Sequence, residues 1–164
     1  DNGPENKTPG SASPFRERKR SLYEGGVRVP AFVIWKNNFE KRQRIDYPVV
    51  TSDYLPTILE VLNLEYPADH PLDGKSILGT LIGIEDERNT PIGFIFEKKI
   101  SWVNHQYKLI SLDSLESFEL YDLINDRSEK EDIIGKHREV ASKMKTELSE
   151  WLISVQNSSQ GKDY

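Results

Sequence analysis

Cysteine is absent from the 164 residues, which removes disulfides, thiolate metal sites and a cysteine nucleophile together. That absence does not fix a compartment. An excess of positive charge is missing too: 22 Lys and Arg face 27 Asp and Glu, a net charge of -5, so a phosphate backbone is not the expected partner. No apolar run approaches the roughly 20 residues of a membrane span. Histidine is scarce, with only His70, His105 and His137, and none has a second at metal-ligand spacing. Apolar residues make up only 36% and mean hydropathy is -0.63, yet 3 Trp, 7 Tyr and 6 Phe supply bulk for one core. The expectation is a globular piece with polar ends.

The chain opens Asp1-Asn2-Gly3-Pro4, which is turn chemistry with no strand before it, as in a piece cut from a longer chain. Gly and Pro punctuate residues 1–21, so no regular element is expected there. A basic knot follows at Arg16, Arg18, Lys19 and Arg20, then Tyr23-Glu24-Gly25-Gly26, whose glycines permit positive φ or a close backbone approach. Val29 to Trp35 (VPAFVIW) reads as a buried strand. Thr51 or Ser52 caps a predicted helix to about Asn63, with Leu55, Ile58, Leu59 and Leu62 on one face. Ser76 to Ile82 reads as a short helix.

Beyond Arg88 the texture changes. Ile92–Phe96, Ile100–Val103, Tyr107–Leu112 and Phe118–Leu123 are four short strand patterns between polar turns, an antiparallel meander. A helix from about His137 to Val155 lines up Val140, Met144, Leu148, Trp151, Leu152 and Val155. Residues 157–164 read as a polar tail.

The side chains with chemical potential are few. Asp1 and Asn2 offer adjacent hard oxygen donors, suited to calcium or magnesium rather than zinc, although a lone Asp-Asn-Gly is more often an Asx turn. The basic knot suits an anion, a lysine point charge beside a glycine turn holding a sulfate or phosphate oxygen; alone, such a run is usually a solvated loop. His105 falls at a hairpin tip, where it faces either a substrate or only solvent.

The order of these segments is more telling than any one of them. DNGPE, PFRERKRSLYEGGVRVPAFVIW, TSDYLPTILEVLN, PLDGKSIL, YKLI and ELYDLINDRSEKEDI together resemble the second half of the sulfatase family, from Asp1 to about Trp151. The resemblance implies the C-terminal portion of the α/β, alkaline-phosphatase-like sulfatase fold. Residues 1–88 would end the large domain, with Ala31–Trp35 as a strand and the helix from Ser52 completing it. Residues 89–156 would form the small antiparallel sheet with its packed C-terminal helix, and 157–164 the tail.

By the same resemblance, Asp1 and Asn2 fall on calcium ligands, with Asp1 also catalytic. Lys19, four residues before Tyr23, falls on the sulfate-contacting lysine and counts as catalytic and substrate-binding. His105 is the other substrate-binding candidate, and Glu24 and Arg28 are expected to hold the loop in shape. The family's nucleophile is a formylglycine made from Cys or Ser in a C/S-x-P-x-R motif. No such motif occurs here, so it is expected, with further acidic ligands and catalytic histidines, in a missing N-terminal half.

The implied activity is hydrolysis of sulfate esters, of a sulfated glycan or an aryl sulfate, by a secreted, periplasmic or lysosomal enzyme. A phosphatase or phosphodiesterase of the same superfamily is the alternative, although two-zinc members place His where Asn2 stands; a non-catalytic binding remnant is another. Two departures stand out. Asn125-Asp126-Arg127-Ser128-Glu129 replaces the frequent Asn-Asp-Pro-Gly-Glu, a change expected to alter only a surface turn, and Val103 stands where a basic residue is frequent.

Overall fold

The structure is a computed structural model that describes residues 2–5, 7, 9–39, 42–67 and 71–162. Its centre is a four-stranded antiparallel meander in sequence order: β1 (Ile92–Phe96), β2 (Lys99–Val103), β3 (Tyr107–Ser111) and β4 (Glu119–Asp122). All four strands lie where alternation and turn residues place them, within a residue or two.

Register then sorts the side chains, because successive residues of a strand point to opposite faces. Trp102, Leu109 and Leu120 are cross-strand partners on one face. That face is covered by α4 (Arg138–Ser159), whose Ala141, Met144 and Leu148 are buried against it. Trp151 of α4 adds a tilted contact with Trp102, ring centroids 5.4 Å apart. The helix runs a turn beyond the expected Val155 end.

The opposite face carries Val103, Lys108 and Tyr121 in one cross-strand row and Ser101, Ile110 and Glu119 in the next. No helix covers it. The loop before Val27 does: Leu22 and Tyr23 pack into a core with Ile92, Val103, Ile110, Tyr121 and Leu123. The loop ends in the single-turn α1 (Glu24–Val27). Thus the meander is a platform, with α4 beneath and the 15–27 segment on top.

A third unit comprises a 3-10 turn (Thr51–Asp53), α2 (Tyr54–Val61) and α3 (Leu78–Leu81). Neither Thr51 nor Ser52 caps it. Instead the Asp53 carboxylate accepts the Val50 N–H at 2.9 Å and the Lys75 N–H at 2.9 Å. Arg88 clamps the same carboxylate at 2.7 and 3.0 Å, also donates to the Pro48 carbonyl, and is buried with it. That pair fastens the helical unit to the chain entering β1.

Two expectations fail in this unit and the segment before it. Val29–Trp35 forms no strand and joins no sheet of the described residues, and Phe32 and Ile34 are 86% and 85% exposed. The predicted apolar face of α2 also points outward: Leu55, Ile58 and Leu62 are exposed while polar Asp53 and Thr57 are buried. The cause is common to both. An apolar run becomes a buried strand or helix face only against neighbours, and the described residues provide none for these surfaces. No helix of the described residues is long and apolar enough to cross a membrane.

Candidate active site

The basic loop is a tight backbone knot. Gly25 N–H donates to the Arg16 carbonyl at 2.8 Å, Ser21 N–H to Arg18 at 3.1 Å, and Gly26 N–H to Tyr23 at 2.8 Å. Neither Gly25 nor Gly26 has a positive φ; both are needed for close approach. A Cβ on Gly25 would lie 2.2 Å from the Glu17 carbonyl oxygen, and one on Gly26 2.1 Å from that of Ser21. Strain sits elsewhere, at Glu17 (φ 63°) and Arg20 (φ 74°), two left-handed residues that bracket Arg18 and Lys19.

The opening segment docks on this knot. Gly3 N–H donates to the Gly26 carbonyl at 3.0 Å, and Lys19 N–H to the Pro4 carbonyl at 3.2 Å. Two motifs sixteen residues apart, Asn2-Gly3-Pro4 and Lys19, thus become neighbours in space.

The charges of the knot divide unequally. Arg16 lies over the Tyr23 ring, 3.9 Å from its centroid, and donates to the Tyr121 hydroxyl at 2.9 Å and the Glu129 carbonyl at 3.2 Å. Arg18 reaches the Glu5 carbonyl at 3.4 Å and Arg20 the Glu5 carboxylate at 3.3 Å. Lys19 is half-buried, and its ammonium has no side-chain or carbonyl partner among the described residues. It is the uncommitted cation of the knot.

The platform below is polar where it meets the loop. Tyr23 and Tyr121 both donate their hydroxyls to Glu119 Oε2. Burial and that carboxylate push the Tyr121 phenol up to about 12 and the Tyr23 phenol higher still, so both stay protonated donors. Beside them Lys108, fully buried, reaches Glu24 Oε1 at 3.0 Å and Glu129 Oε1 at 2.9 Å, the latter an ion-pair contact off the hydrogen-bond axis. Glu129 Oε2 accepts the Glu24 N–H at 2.6 Å, and Glu24 also pairs with Arg28 at 3.1 Å. Glu24 and Arg28 thus do hold the loop.

The remaining sequence candidates separate. Asp1 lies outside the described residues. Asn2 is exposed at the edge of the knot. Its amide oxygen is a hard donor of the kind calcium takes, but calcium wants about six to eight oxygens. The described residues hold no cluster of three or more His, Asp or Glu that would complete such a shell. His105 belongs to another contact set: its Nδ1 accepts the Arg88 N–H at 3.3 Å and its ring meets Tyr47 edge-on.

Lys108 and Glu129 escaped the sequence reading. The signal was present: Lys108 shares the inward face with Ile110, two residues on in YKLI, and a lysine there needs a buried partner. By sequence Glu129 belongs to the 125–129 segment, which reads as a surface turn. Arg127 does stay at that surface, pairing with Asp46 at 3.2 Å, but Glu129 turns fully inward.

The N-sulphoglucosamine sulphohydrolase C-terminal family model matches residues 16–156. The chain belongs to the sulfatase family and has the fold of its C-terminal portion, a small antiparallel sheet with a C-terminal helix. A sulfatase of Formosa agariphila is 33% identical over 174 residues, covering 88% of this chain and 30% of that protein. The N-acetylgalactosamine-6-O-sulfatase of Bacteroides thetaiotaomicron is 29% identical over 158 residues, covering 86% and 30%. The crystal structure of Ps i-CgsB superposes with a TM-score of 0.82 at 24% identity, covering 92% of this chain and 34% of that one, a likeness of fold. The chain therefore spans about a third or less of the length of these proteins.

Proposed function

We propose that this chain supplies the C-terminal part of a sulfuric ester hydrolase, and that Lys19 contacts the sulfate group of the substrate. One observation carries the reading. Of the four basic residues in the knot, three are engaged with Tyr121, Glu129 or Glu5, and Lys19 alone keeps its charge uncommitted among the described residues. A compact ammonium at that point offsets negative charge on a sulfate oxygen as the S–O bond to the leaving group breaks. The polar platform fixes the loop, so little reorganisation is required when the charge develops.

Asp1 and Asn2 are the residues of this chain proposed to ligate calcium, with the remaining ligands and the formylglycine nucleophile on chain outside these residues. When bound, calcium would neutralise sulfate oxygens. The substrate class is a sulfated glycan or an aryl sulfate; relatives include an N-acetylgalactosamine-6-O-sulfatase, and a solved relative holds a neocarrahexaose. Assay of the complete enzyme against paired aryl sulfate and aryl phosphate esters tests the reading. Turnover of the sulfate ester is expected. Turnover of the phosphate ester alone would replace the reading with a phosphatase.

A further inference from the structure

We propose that Lys108 is a positioning residue of the anion site: from strand β3 it sets the place of the Lys19 loop through Glu24 and Glu129. The inference rests on the sulfatase reading for its functional consequence, and on geometry alone for the brace itself.

The arrangement is poorly explained as a source of stability. Lys108 and Glu129 are 0% exposed and Glu24 is 6% exposed. Burying such ions carries a heavy desolvation cost, and well-packed apolar side chains of similar size are often as stable or more so. The arrangement does supply direction. Lys108 is held by the ladder of β3, between Val103 of β2 and Tyr121 of β4. Its ammonium meets Glu24 and Glu129 together. Glu129 in turn takes the backbone N–H of Glu24. Both the side chain and the main chain of Glu24 are thereby tied to the sheet.

Position passes on through the knot. Gly25, the next residue, donates its N–H to Arg16, and Gly26 accepts the Gly3 N–H. Lys19 lies between these ties and carries its own bond to Pro4. A shift of Glu24 therefore moves the frame that holds both Lys19 and the Asn2 segment.

The experiment uses the complete enzyme with Lys108→Met, and Glu129→Gln as a gentler variant that keeps the oxygen accepting the Glu24 N–H. Amide hydrogen exchange is measured peptide by peptide. Loss of a buried charge-assisted contact predicts roughly 10- to 100-fold faster exchange across residues 19–26, with β2 and β4 still protected. A double-mutant cycle then pairs each variant with Lys19→Ala. If Lys108 acts through Lys19, the combined loss in kcat is no greater than that of Lys19→Ala alone. Exchange that rises equally in sheet and loop, unchanged loop exchange, or additive losses in kcat overturn the proposal. An inert Lys19→Ala with locally faster loop exchange would sink the sulfate role of Lys19 and leave the brace standing. If Lys108→Met fails to fold, Glu129→Gln decides by the same measurements.

Discussion

Gly3 meets Gly26 backbone to backbone, its N–H donating to the carbonyl at 3.0 Å, and there is no room between them for a side chain. A Cβ on Gly3 would lie 1.9 Å from the Gly25 carbonyl oxygen. Main-chain atoms cannot yield as a flexible side chain would, so the opening segment must move as a body. Gly3→Ala is expected to cost about 1–3 kcal/mol in urea unfolding by overpacking. In the complete enzyme it is also expected to lower turnover, by displacing Asn2 from the knot. A fully stable, fully active Gly3→Ala variant would mean that the segment docks differently.

The Asp53–Arg88 clamp predicts an acid limb. Burial alone would raise the Asp53 carboxyl, but hydrogen bonds from Arg88 and from the Val50 and Lys75 N–H groups outweigh it and hold the group below the usual carboxylate range. The unfolded chain binds this proton more tightly, so the contribution is present above the unfolded pKa and is lost as pH falls through the folded one. Glu129 has the opposite sign. Burial raises it past the pull of Lys108 and the Glu24 N–H, so its contribution is full below the unfolded pKa and is lost as pH rises through the folded one. Asp53→Asn is expected to cost about 3–5 kcal/mol near neutral pH, because Arg88 is left buried without its counter-charge. It should also flatten the fall in stability below about pH 4, measured by denaturant unfolding across pH. An unaltered acid limb would show that Asp53 is not its source.

The exposed apolar run makes a different kind of prediction. Phe32 and Ile34 face solvent almost completely, and Leu55, Ile58 and Leu62 add to the apolar surface. Contiguous apolar surface on an isolated chain promotes self-association. Phe32→Ser with Ile34→Lys should reduce association of the isolated chain in light scattering and leave its thermal midpoint unchanged. A lowered midpoint would mean that these side chains pack within the chain.

What the sequence disclosed follows from the range of the forces involved. The meander and α4 were legible because alternation in β1 to β4 and the Met144–Leu148 seam are local patterns that bury against each other within this chain. The fate of Val29–Trp35 and of the α2 face was not, since the same apolar pattern is buried or bare according to neighbours that the described residues lack. Motif resemblance nominates Lys19 and Asn2 as candidates, and the backbone knot brings their segments together. Lys108, Glu24 and Glu129 lie far apart in sequence, and such ion pairs leave no periodic trace. Only the inward register of Lys108 hinted at them.

The most direct measurement is the turnover of an aryl sulfate by the complete enzyme carrying Lys19→Ala, beside Arg20→Ala as a control. Among the described residues the cation of Lys19 is uncommitted, whereas that of Arg20 is paired with Glu5. If Lys19 offsets charge on the departing sulfate, Lys19→Ala should lower kcat roughly 100- to 1,000-fold with the fold intact by circular dichroism. Arg20→Ala should stay near the parent rate. Unchanged turnover by a folded Lys19→Ala enzyme, or an equal loss in the Arg20→Ala control, would contradict the assignment of Lys19 to the sulfate.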